Sequence, residues 1–304
     1  MTHAAALVCA LLLDALLGEP RWLWARLPHP AVLMGRAVGA ADRRYNTGAR
    51  RQLKGTAVLG ALCAGAALAG LIIAQLPGAF LIEIVVAAIL LAQRSLADHV
   101  AAVAAALRLS VAEGRAAVAR IVGRDTFAMD GPATTRAAIE SAAENFSDGV
   151  VAPAFWFLIA GLPGLLVYKL VNTADSMIGY RTPRHAAFGW AAARFDDLLN
   201  WIPARLTALV IWLVHGCPAP WSAIRRDAGL HRSPNAGWPE AAMAAALDVA
   251  LSGPRAYDGE MRAFPFVHPD GNRHSGPDHI DASVAVLWRS WAALLALSAL
   301  LAVA

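Results

Sequence analysis

The chain of 304 residues alternates long apolar runs with long polar stretches. The clearest apolar run, residues 55–75, has no charged residue and is rich in Ala, Leu and Gly. About 20 apolar residues are enough for one helix to cross a bilayer. The pattern therefore predicts an all-α fold, a polytopic integral membrane helical bundle. Its apolar segments are about 4–17, 55–75, 80–93, 149–171, 203–216 and 283–304.

Two stretches depart from a simple succession of spans. Residues 94–124 are Ala-rich and carry apolar residues at near-heptad spacing, which predicts an amphipathic arm on the bundle or on the membrane surface. Residues 149–171 are long enough to span, but the sequence GLPG at 161–164 interrupts them. Such a break is compatible with a kinked span and with a re-entrant segment buried in protein, so both alternatives stay open.

The polar stretches are predicted as loops within one compact unit, a single integral membrane domain of residues 1–304. The stretch 18–54 is rich in Arg, and the positive-inside rule places such a stretch in the cytoplasm. The first apolar run has no basic region before it and contains Asp14, which favours a retained membrane segment over a signal peptide. The predicted polar loops are 18–54, 94–148, 172–202 and 218–282.

The amino-acid composition supports membrane insertion and limits the kinds of molecule that the chain is expected to bind. Apolar residues make up 58% of the chain and charged residues 16%, against roughly 45–50% and about 25% in typical globular domains. Three cysteines lie in apolar runs without paired spacing, which argues against a disulfide framework or a zinc site. The net charge of +4 comes almost entirely from Arg, which suits phosphate, carboxylate and anionic lipid headgroups. No basic stripe stands apart from the apolar segments, so nucleic acid is not expected as a partner.

Polar residues are concentrated in residues 136–205, directly against the apolar runs. Glu140, Glu144 and Asp148 fall at i, i+4 and i+8, so an uninterrupted helix would carry three carboxylates on one face. Like charges one turn apart repel unless a cation or a base lies among them, which makes this stretch the candidate site. Further polar residues at helical spacing are Lys169, Asn172, Asp175, Arg194, Asp197, Asn200 and Arg205.

Several motifs together carry a resemblance to a known family. They are LLLDALLGEPRWL and LPHPAVLMGR near the start, VGRDT at 122–126, IESAAENFSDGVVAPAFW at 139–156, GLPGLLVYKLVNTADSMIGY at 161–180, FGWAAARFDDLLNWIPARL at 188–206 and HRSPNAGWPEAAMAAAL at 231–247. In this order, and over most of the chain, they resemble the adenosylcobinamide-phosphate synthase family of membrane proteins.

The resemblance implies a multi-pass inner-membrane enzyme of cobalamin biosynthesis with its active site on the cytoplasmic side. The implied reaction joins adenosylcobyric acid, a corrinoid, to (R)-1-aminopropan-2-ol or its O-phosphate in an ATP-dependent amide ligation. ATP is then a co-substrate, Mg²⁺ is expected, and no bound redox cofactor is expected. Membrane lipids and other late cobalamin-assembly enzymes are the further partners that the resemblance suggests.

The chemistry of this reaction suggests roles for the polar residues. No Walker A sequence is present, so acids that hold Mg²⁺ and bases that hold phosphates must build the ATP site. For metal binding we favour Glu140, Glu144 and Asp148, with Asp175 and Asp196 as competitors. The catalytic candidates are Glu144, Asp197 and Lys169. The candidates for substrate or phosphate binding are Arg124, Asn145, Asn172, Arg181, Arg194, Asn200, Arg205, His231 and Arg232.

Simpler explanations stay open for several of these residues. Arg194 and Asp197 can be an ordinary i, i+3 pair, Arg124 can contribute only to a helix cap, and His231 can be a solvated loop residue. Two other classes of protein share the general pattern. One is a sensor or regulator like the β-lactamase-induction membrane protein, and the other is a corrinoid-binding transporter. The density of acids in residues 139–200 favours the enzyme over the sensor, and the absence of internal repeats counts against the transporter.

Overall fold

The computed structural model describes residues 2–257 and 260–304, and nearly all of the regular secondary structure in this part of the chain is α-helical. The predicted all-α membrane bundle is thereby confirmed. The helices are α1 (His3–Leu17), α2 (Arg21–Trp24), α3 (Pro30–Tyr45), α4 (Arg51–Ala74), α5 (Ala79–Leu90), α6 (Gln93–Leu109), α7 (Val111–Val118), α8 (Gly131–Phe146), α9 (Ala152–Ile178), α10 (Trp190–Leu199), α11 (Trp201–Val214), α12 (Trp221–Ala228), α13 (Gly237–Leu247) and α14 (Pro277–Val303). The short strands are β1 (Leu251–Ser252), β2 (Arg255–Tyr257), β3 (Glu260–Arg262) and β4 (Phe266–Val267).

Within the described residues, four helical stretches are long and apolar enough to cross a membrane: α4, α5 with α6, α8 with α9, and α14. The pair α10 and α11, bent by 42°, would make a fifth span. α4 shows why lipid is the natural surrounding, since Leu68, Leu71 and Ile72 are exposed on it. Such apolar surface is costly in water and costs nothing against acyl chains. Each predicted apolar segment falls mainly within a helix, although α1 is short for a span.

The chain forms two compact units that alternate along the sequence. Unit 1 contains the residues up to Ala92, Ala152–Trp201 and Leu297–Ala304, and unit 2 contains Gln93–Val151 and Ile202–Ala296. The boundaries between the units fall inside helices or between consecutive helical segments. The sequence analysis predicted a single domain of residues 1–304 without such a division. That single domain stays a prediction.

Unit 1 is built around α9, against which α1, α3, α4, α5 and α10 pack. Two glycines allow α4 a close approach, because a Cβ at Gly70 would overlap the backbone of Pro163 and one at Gly55 would overlap Phe188. Gly161, with φ +59°, breaks the helical geometry of α9, and the helix then continues to Ile178. Of the two alternatives for this segment, the structure has the kinked helix.

Unit 2 gathers shorter helices around α8. α6 and α7 pack against each other and against α8, while α13 and β1 contact α8 as well. β1 pairs antiparallel with β4, and β2 with β3. The predicted amphipathic arm is therefore two helices whose apolar side is buried on the protein. Its buried residues include Leu96, Val100, Val103 and Leu107.

Predicting loops from polarity alone was wrong in several places. The stretch 18–54 contains the 16-residue helix α3, which His29 caps and Pro30 begins. The stretch 218–282 contains α12, α13 and the four strands. α3 and α12 bury one side and expose arginines, so their composition is polar although their structure is regular, whereas α13 is apolar and almost wholly buried.

Candidate functional site

The residues predicted for the site fall into two groups, one in each unit. Unit 1 contains Lys169, Asn172, Asp175, Arg181, Arg194, Asp196, Asp197 and Asn200. Unit 2 contains Arg124, Glu140, Glu144, Asn145, Asp148, Arg205, His231 and Arg232.

In unit 1, α9 and α10 bring together an acid–amide cluster, defined as Asn172, Asp175, Asp196, Asp197 and Asn200. The carboxylate of Asp196 is buried and accepts two amide hydrogen bonds. Nδ2 of Asn172 donates to Oδ1 over 3.3 Å, and Nδ2 of Asn200 donates to Oδ2 over 3.0 Å. The buried hydroxyl of Tyr168 donates to Oδ1 of Asn200 over 3.0 Å. This network fixes the carboxylate of Asp196 in one orientation without neutralising it.

The acid–amide cluster carries unbalanced negative charge. Asp175, Asp196 and Asp197 interact electrostatically with one another. Asp197 pairs with Arg194 over 3.4 Å and also interacts with the charge of Arg181. Within the described residues, no Lys or Arg forms an ion pair with Asp175 or Asp196. Neighbouring carboxylates without a base favour a cation or a proton between them.

Two further features of unit 1 concern this region. Gly179 follows α9 directly, and a Cβ there would overlap Oδ1 of Asp175, so the absence of a side chain leaves room for that carboxylate. Lys169, two turns before Asp175 in the sequence of α9, lines a cavity of about 340 Å³ together with Glu19, Trp24 and His29.

Unit 2 contains a buried ion-pair cluster, defined as Arg124, Glu140, Ser252 and Arg255. Nη2 of Arg124 lies 2.8 Å from Oε2 of Glu140, and the two side chains are only 8% and 6% exposed. The backbone N–H of Ser252 donates to Oε1 over 2.7 Å, and Arg255 lies 3.4 Å from Oε2. Both oxygens of Glu140 are thus occupied by protein donors, so the structure gives no support to its predicted role as a metal ligand.

The predicted face of three carboxylates does not form a metal site. α8 ends at Phe146, and Asp148 lies within a π-helical turn over Ser147–Val151, so it does not continue the α-helical register of α8. Glu144 is exposed and interacts electrostatically with Glu140 and Arg232. Among the residues that the structure describes, no group of three or more His, Cys, Asp or Glu side chains is arranged to hold a metal ion. The i, i+4, i+8 argument assumed an α-helix throughout, and the π turn removes that assumption.

His231 and Glu240 form a second buried pair in unit 2. Nε2 of His231 lies 3.5 Å from Oε1 of Glu240, and Nδ1 accepts a hydrogen bond from the backbone N–H of Ser233. Burial, reinforced by the charge of Arg255, lowers the pKa of His231 to about 4. Burial, reinforced by Glu140, raises the pKa of Glu240. At neutral pH His231 is therefore neutral and directs its Nε2 proton toward Glu240, so it is not a solvated loop residue.

The remaining unit 2 candidates have structural partners. Arg205 donates to Oδ1 of Asn235 over 3.3 Å and stacks 4.8 Å from the ring of Trp238, which holds the start of α13. Nδ2 of Asn145 donates to the carbonyl oxygen of Ser141 over 2.9 Å, within α8 itself.

Sequence reasoning missed Arg255, Glu240 and Tyr168 as members of these clusters. Glu240 is a lone acid in the apolar stretch GWPEAAMAAAL, and Tyr168 is a lone hydroxyl in GLLVYKL, so both could have been found as polar exceptions. Arg255 is far from Glu140 in sequence, and no local pattern links the two.

Another residue outside the predicted set is Asp42 in α3. It binds Arg184 over 2.6 Å and Asn46 over 2.8 Å, which ties the segment before α10 to α3. Burial alone would raise the pKa of Asp42, but these two hydrogen bonds outweigh burial and lower it. Asp42 is therefore an ionised anchor.

The fold and the two clusters define a polytopic α-helical membrane protein with acids and bases buried among its helices. The chain belongs to the CobD/Cbib protein family, whose profile matches residues 7–287. It is 53% identical to the cobalamin biosynthesis protein CobD of Rhizobium meliloti, over 93% of this chain and 91% of that protein. For the proteins of the same name, identity is 49% in Sinorhizobium fredii, over 97% and 95%, and 49% in Brucella suis, over 92% and 90%. No solved structure matches the chain.

Proposed function

We propose that this protein acts in cobalamin biosynthesis as a membrane-bound, ATP-dependent amide synthase. It joins the free propionate of adenosylcobyric acid to (R)-1-aminopropan-2-ol or its O-phosphate. Family membership and relatives named for cobalamin biosynthesis, matched over more than nine-tenths of the chain, support the pathway. The observation that carries the chemistry is the acid–amide cluster, where Asp175 and Asp196 lie together without a base.

The reaction needs an activated acid. In the proposed first step, a propionate oxygen attacks the γ-phosphorus of ATP, the bond to the β-γ bridging oxygen breaks, and ADP leaves. An acyl phosphate results. In the second step the amine attacks the acyl carbon, inorganic phosphate leaves, and the nitrogen gives up a proton. The amide, ADP, inorganic phosphate and the released proton then account for all atoms.

The acid–amide cluster supplies suitable groups for the metal that such a reaction requires. Mg²⁺ commonly takes one or two carboxylates and completes its shell with water and substrate phosphates. Asp175 and Asp196 fit this demand, because they are hard oxygen donors on neighbouring helices and repel each other when ionised. Mg²⁺ held there would neutralise charge on the phosphates. Asn172 and Asn200 keep Asp196 oriented.

Other groups take the remaining roles in this proposal. Arg181 and Arg194 provide positive charge beside Asp197 for a phosphate, and Asp197 accepts the proton from the attacking amine. The Arg-rich stretch 18–54 and the positive-inside rule support an inner-membrane location with the active site facing the cytoplasm. Lipids and other late cobalamin-assembly enzymes are the further partners.

The direct test uses the purified chain in nanodiscs with adenosylcobyric acid, ATP, Mg²⁺ and either amine. Mass spectrometry should detect the amide, together with one ADP for each product molecule. Parallel reactions with a nonhydrolysable ATP analogue or with EDTA should give no product. Bound corrinoid without product under any condition would contradict the synthase. Movement of corrinoid across sealed vesicles without covalent change would instead indicate a transporter.

A further inference from the structure

Five basic residues of unit 1 lie where α3 ends and α4 begins, and together they are called the basic patch here. Its members are Arg43, Arg44, Arg50, Arg51 and Lys54. The turn between the two helices is held by its own hydrogen bonds, since Nζ of Lys54 donates to the carbonyl oxygen of Thr47 over 2.8 Å. Three of the five members are exposed and two are half-buried. The patch is therefore a concentration of positive charge on the surface of unit 1.

No acid among the described residues pairs with this charge. Between Glu19 and Glu83 the sequence contains a single acid, Asp42. Asp42 is buried, and its carboxylate is already bonded by Arg184 and Asn46. Within the described chain, none of the five bases forms an ion pair. Like charges this close repel one another, so the patch is more stable with an anion among them.

The basic patch is continuous with a helix that has the length of a membrane span. The apolar part of α4, residues 55–74, measures about 30 Å at about 1.5 Å per residue, which equals the hydrocarbon thickness of a typical bilayer. When this part fills the hydrocarbon core, Arg51 and Lys54 in the first turn of α4 lie at the level of the lipid headgroups. Leu53 and Leu68 are exposed on the same helix, so acyl chains can reach it next to the patch.

We propose that the basic patch binds the headgroup of an anionic phospholipid whose acyl chains lie along α4. The lipid phosphate accepts hydrogen bonds from the exposed guanidinium groups of Arg43 and Arg50, and the hydrocarbon packs against Leu53 and the apolar surface beyond it. Arginine suits this role, because its planar guanidinium donates to two oxygens of one phosphate. Clusters of about 4–8 bases beside the cytoplasmic end of a spanning helix are typical of such lipid sites.

An anionic lipid is the occupant that matches both parts of this surface. A free phosphate would meet the positive charge and would leave the exposed leucines of α4 without a partner. A zwitterionic lipid would cover the leucines but would bring its own cation toward the arginines. Only a lipid with a net negative headgroup satisfies the charge and the apolar helix together. This inference goes beyond the proposed function, and its test needs no turnover.

Native mass spectrometry of the full chain, released from detergent, tests the recognition with three probes. Phosphatidylglycerol has a net negative headgroup, phosphatidylcholine has none, and glycerol 3-phosphate has the phosphate without acyl chains. Phosphatidylglycerol should bind at least about 10-fold more tightly than either of the other two. Equal affinities for the two lipids would overturn the proposal. Displacement of phosphatidylglycerol by an equal concentration of glycerol 3-phosphate would also overturn it, because the patch would then be a site for free phosphate esters.

A double variant tests the assignment to the basic patch. Arg43→Gln with Arg50→Asn removes two exposed charges, and Asn suits position 50 because it tolerates the left-handed backbone found there, with φ +57°. Each base near an anionic surface contributes about fivefold in affinity, so phosphatidylglycerol should bind about 30-fold more weakly. Arg120→Gln with Arg225→Gln removes two exposed arginines of unit 2 as the matched control and should bind this lipid like the wild type. Wild-type affinity in the first double variant would remove the lipid from this patch.

Thermal unfolding in the same detergent separates loss of the site from loss of the fold. Without lipid, the double variant at positions 43 and 50 should unfold at or slightly above the wild-type temperature, since two unpaired charges are gone. Phosphatidylglycerol should raise the unfolding temperature of the wild type and of the unit 2 control by more than that of this variant. An equal rise in all three proteins would contradict the proposal. If the double variant does not fold, Arg43→Gln alone serves as the test, with an expected loss of about fivefold in affinity.

Discussion

The two units accommodate buried carboxylates in different ways. In unit 2, Glu140 meets Arg124, Arg255 and a backbone N–H, so its charge is balanced and both oxygens are bonded. In unit 1, Asp196 accepts hydrogen bonds from two amides, and its electrostatic neighbours are other acids. One carboxylate is matched by bases, and the other is held in place but not neutralised.

This difference indicates which unit is built for chemistry. A buried carboxylate whose two oxygens are both bonded by protein donors has little left to offer a ligand, and removing its charged partner is costly. Carboxylates oriented by amides keep their charge available, and a cation relieves their repulsion. We therefore infer that unit 1 carries the reactive acids, while the ion pairs of unit 2 chiefly stabilise the fold.

The largest expected effect is on activity in unit 1. Asp196→Asn keeps the size of the side chain and removes its charge, so amide formation should fall on the order of 10³-fold, or about 4 kcal/mol of transition-state stabilisation. Stability should change little, because the lost repulsion with Asp175 is offset by the loss of one of the two amide hydrogen bonds, where the new NH₂ would face a donor. Product rate by mass spectrometry and unfolding in detergent measure the two effects. Asp98→Asn, at an exposed carboxylate of α6, is the control. Wild-type turnover by Asp196→Asn would exclude Asp196 from the site.

The next effect is on stability in unit 2. Arg124→Met leaves Glu140 buried with a single arginine, so the free energy of unfolding should fall by about 3–5 kcal/mol. The double variant Arg124→Met, Glu140→Met should recover much of this loss, since no buried charge is stranded. Unfolding titrations with SDS, followed by circular dichroism, measure both. Arg120→Met, at an exposed arginine, should change little. A double variant as unstable as the single one would contradict the ion-pair explanation.

The sequence alone predicted the membrane class of the protein but not the tertiary contacts that distinguish the two units. The membrane class follows from run length and composition, and α4 shows why, since its 24 residues need only length and apolarity to be recognised. The polar block 136–205 stays a predicted site, and the structure divides its residues between the two units. The π turn that contains Asp148 and the long-range partner Arg255 have no local signature, because both depend on tertiary packing. The same limit applies to α3, whose cap is a histidine rather than Ser, Thr, Asp or Asn.

The buried pair of His231 and Glu240 predicts a pH dependence of stability in unit 2. The pKa of His231 is lowered from 6.5 to about 4, so between these values the unfolded chain binds the proton more readily. Stability should therefore be complete above about pH 6.5 and should fall by roughly 3 kcal/mol as pH drops toward 4. The charged groups facing His231 include Arg255, Arg232 and Glu140.

The carboxyl group of Glu240 must be replaced before this pH dependence can be observed. Its pKa is raised in the folded protein, so its titration lowers stability as pH rises, opposite to the effect of His231. Unfolding should be measured from pH 4 to pH 8 in Glu240→Gln. Adding His231→Gln to that background should flatten the curve. A curve of equal slope in both proteins would show that His231 does not titrate as stated.

The smallest expected effect on stability is at the ion pair Arg194–Asp197, which joins an arginine to the acid–amide cluster of unit 1. The side chains are 58% and 33% exposed, and the atoms are 3.4 Å apart. An exposed i, i+3 pair contributes roughly 0–1 kcal/mol, so Arg194→Met should unfold almost like the wild type. If Arg194 also holds a phosphate, the KM for ATP should rise about 10-fold with kcat little changed, since uniform binding is lost. Arg94→Met removes a comparable pair on α6 and should leave the KM unchanged. An unchanged KM in Arg194→Met would reduce this residue to an ordinary surface partner of Asp197 and leave Arg181 as the phosphate contact.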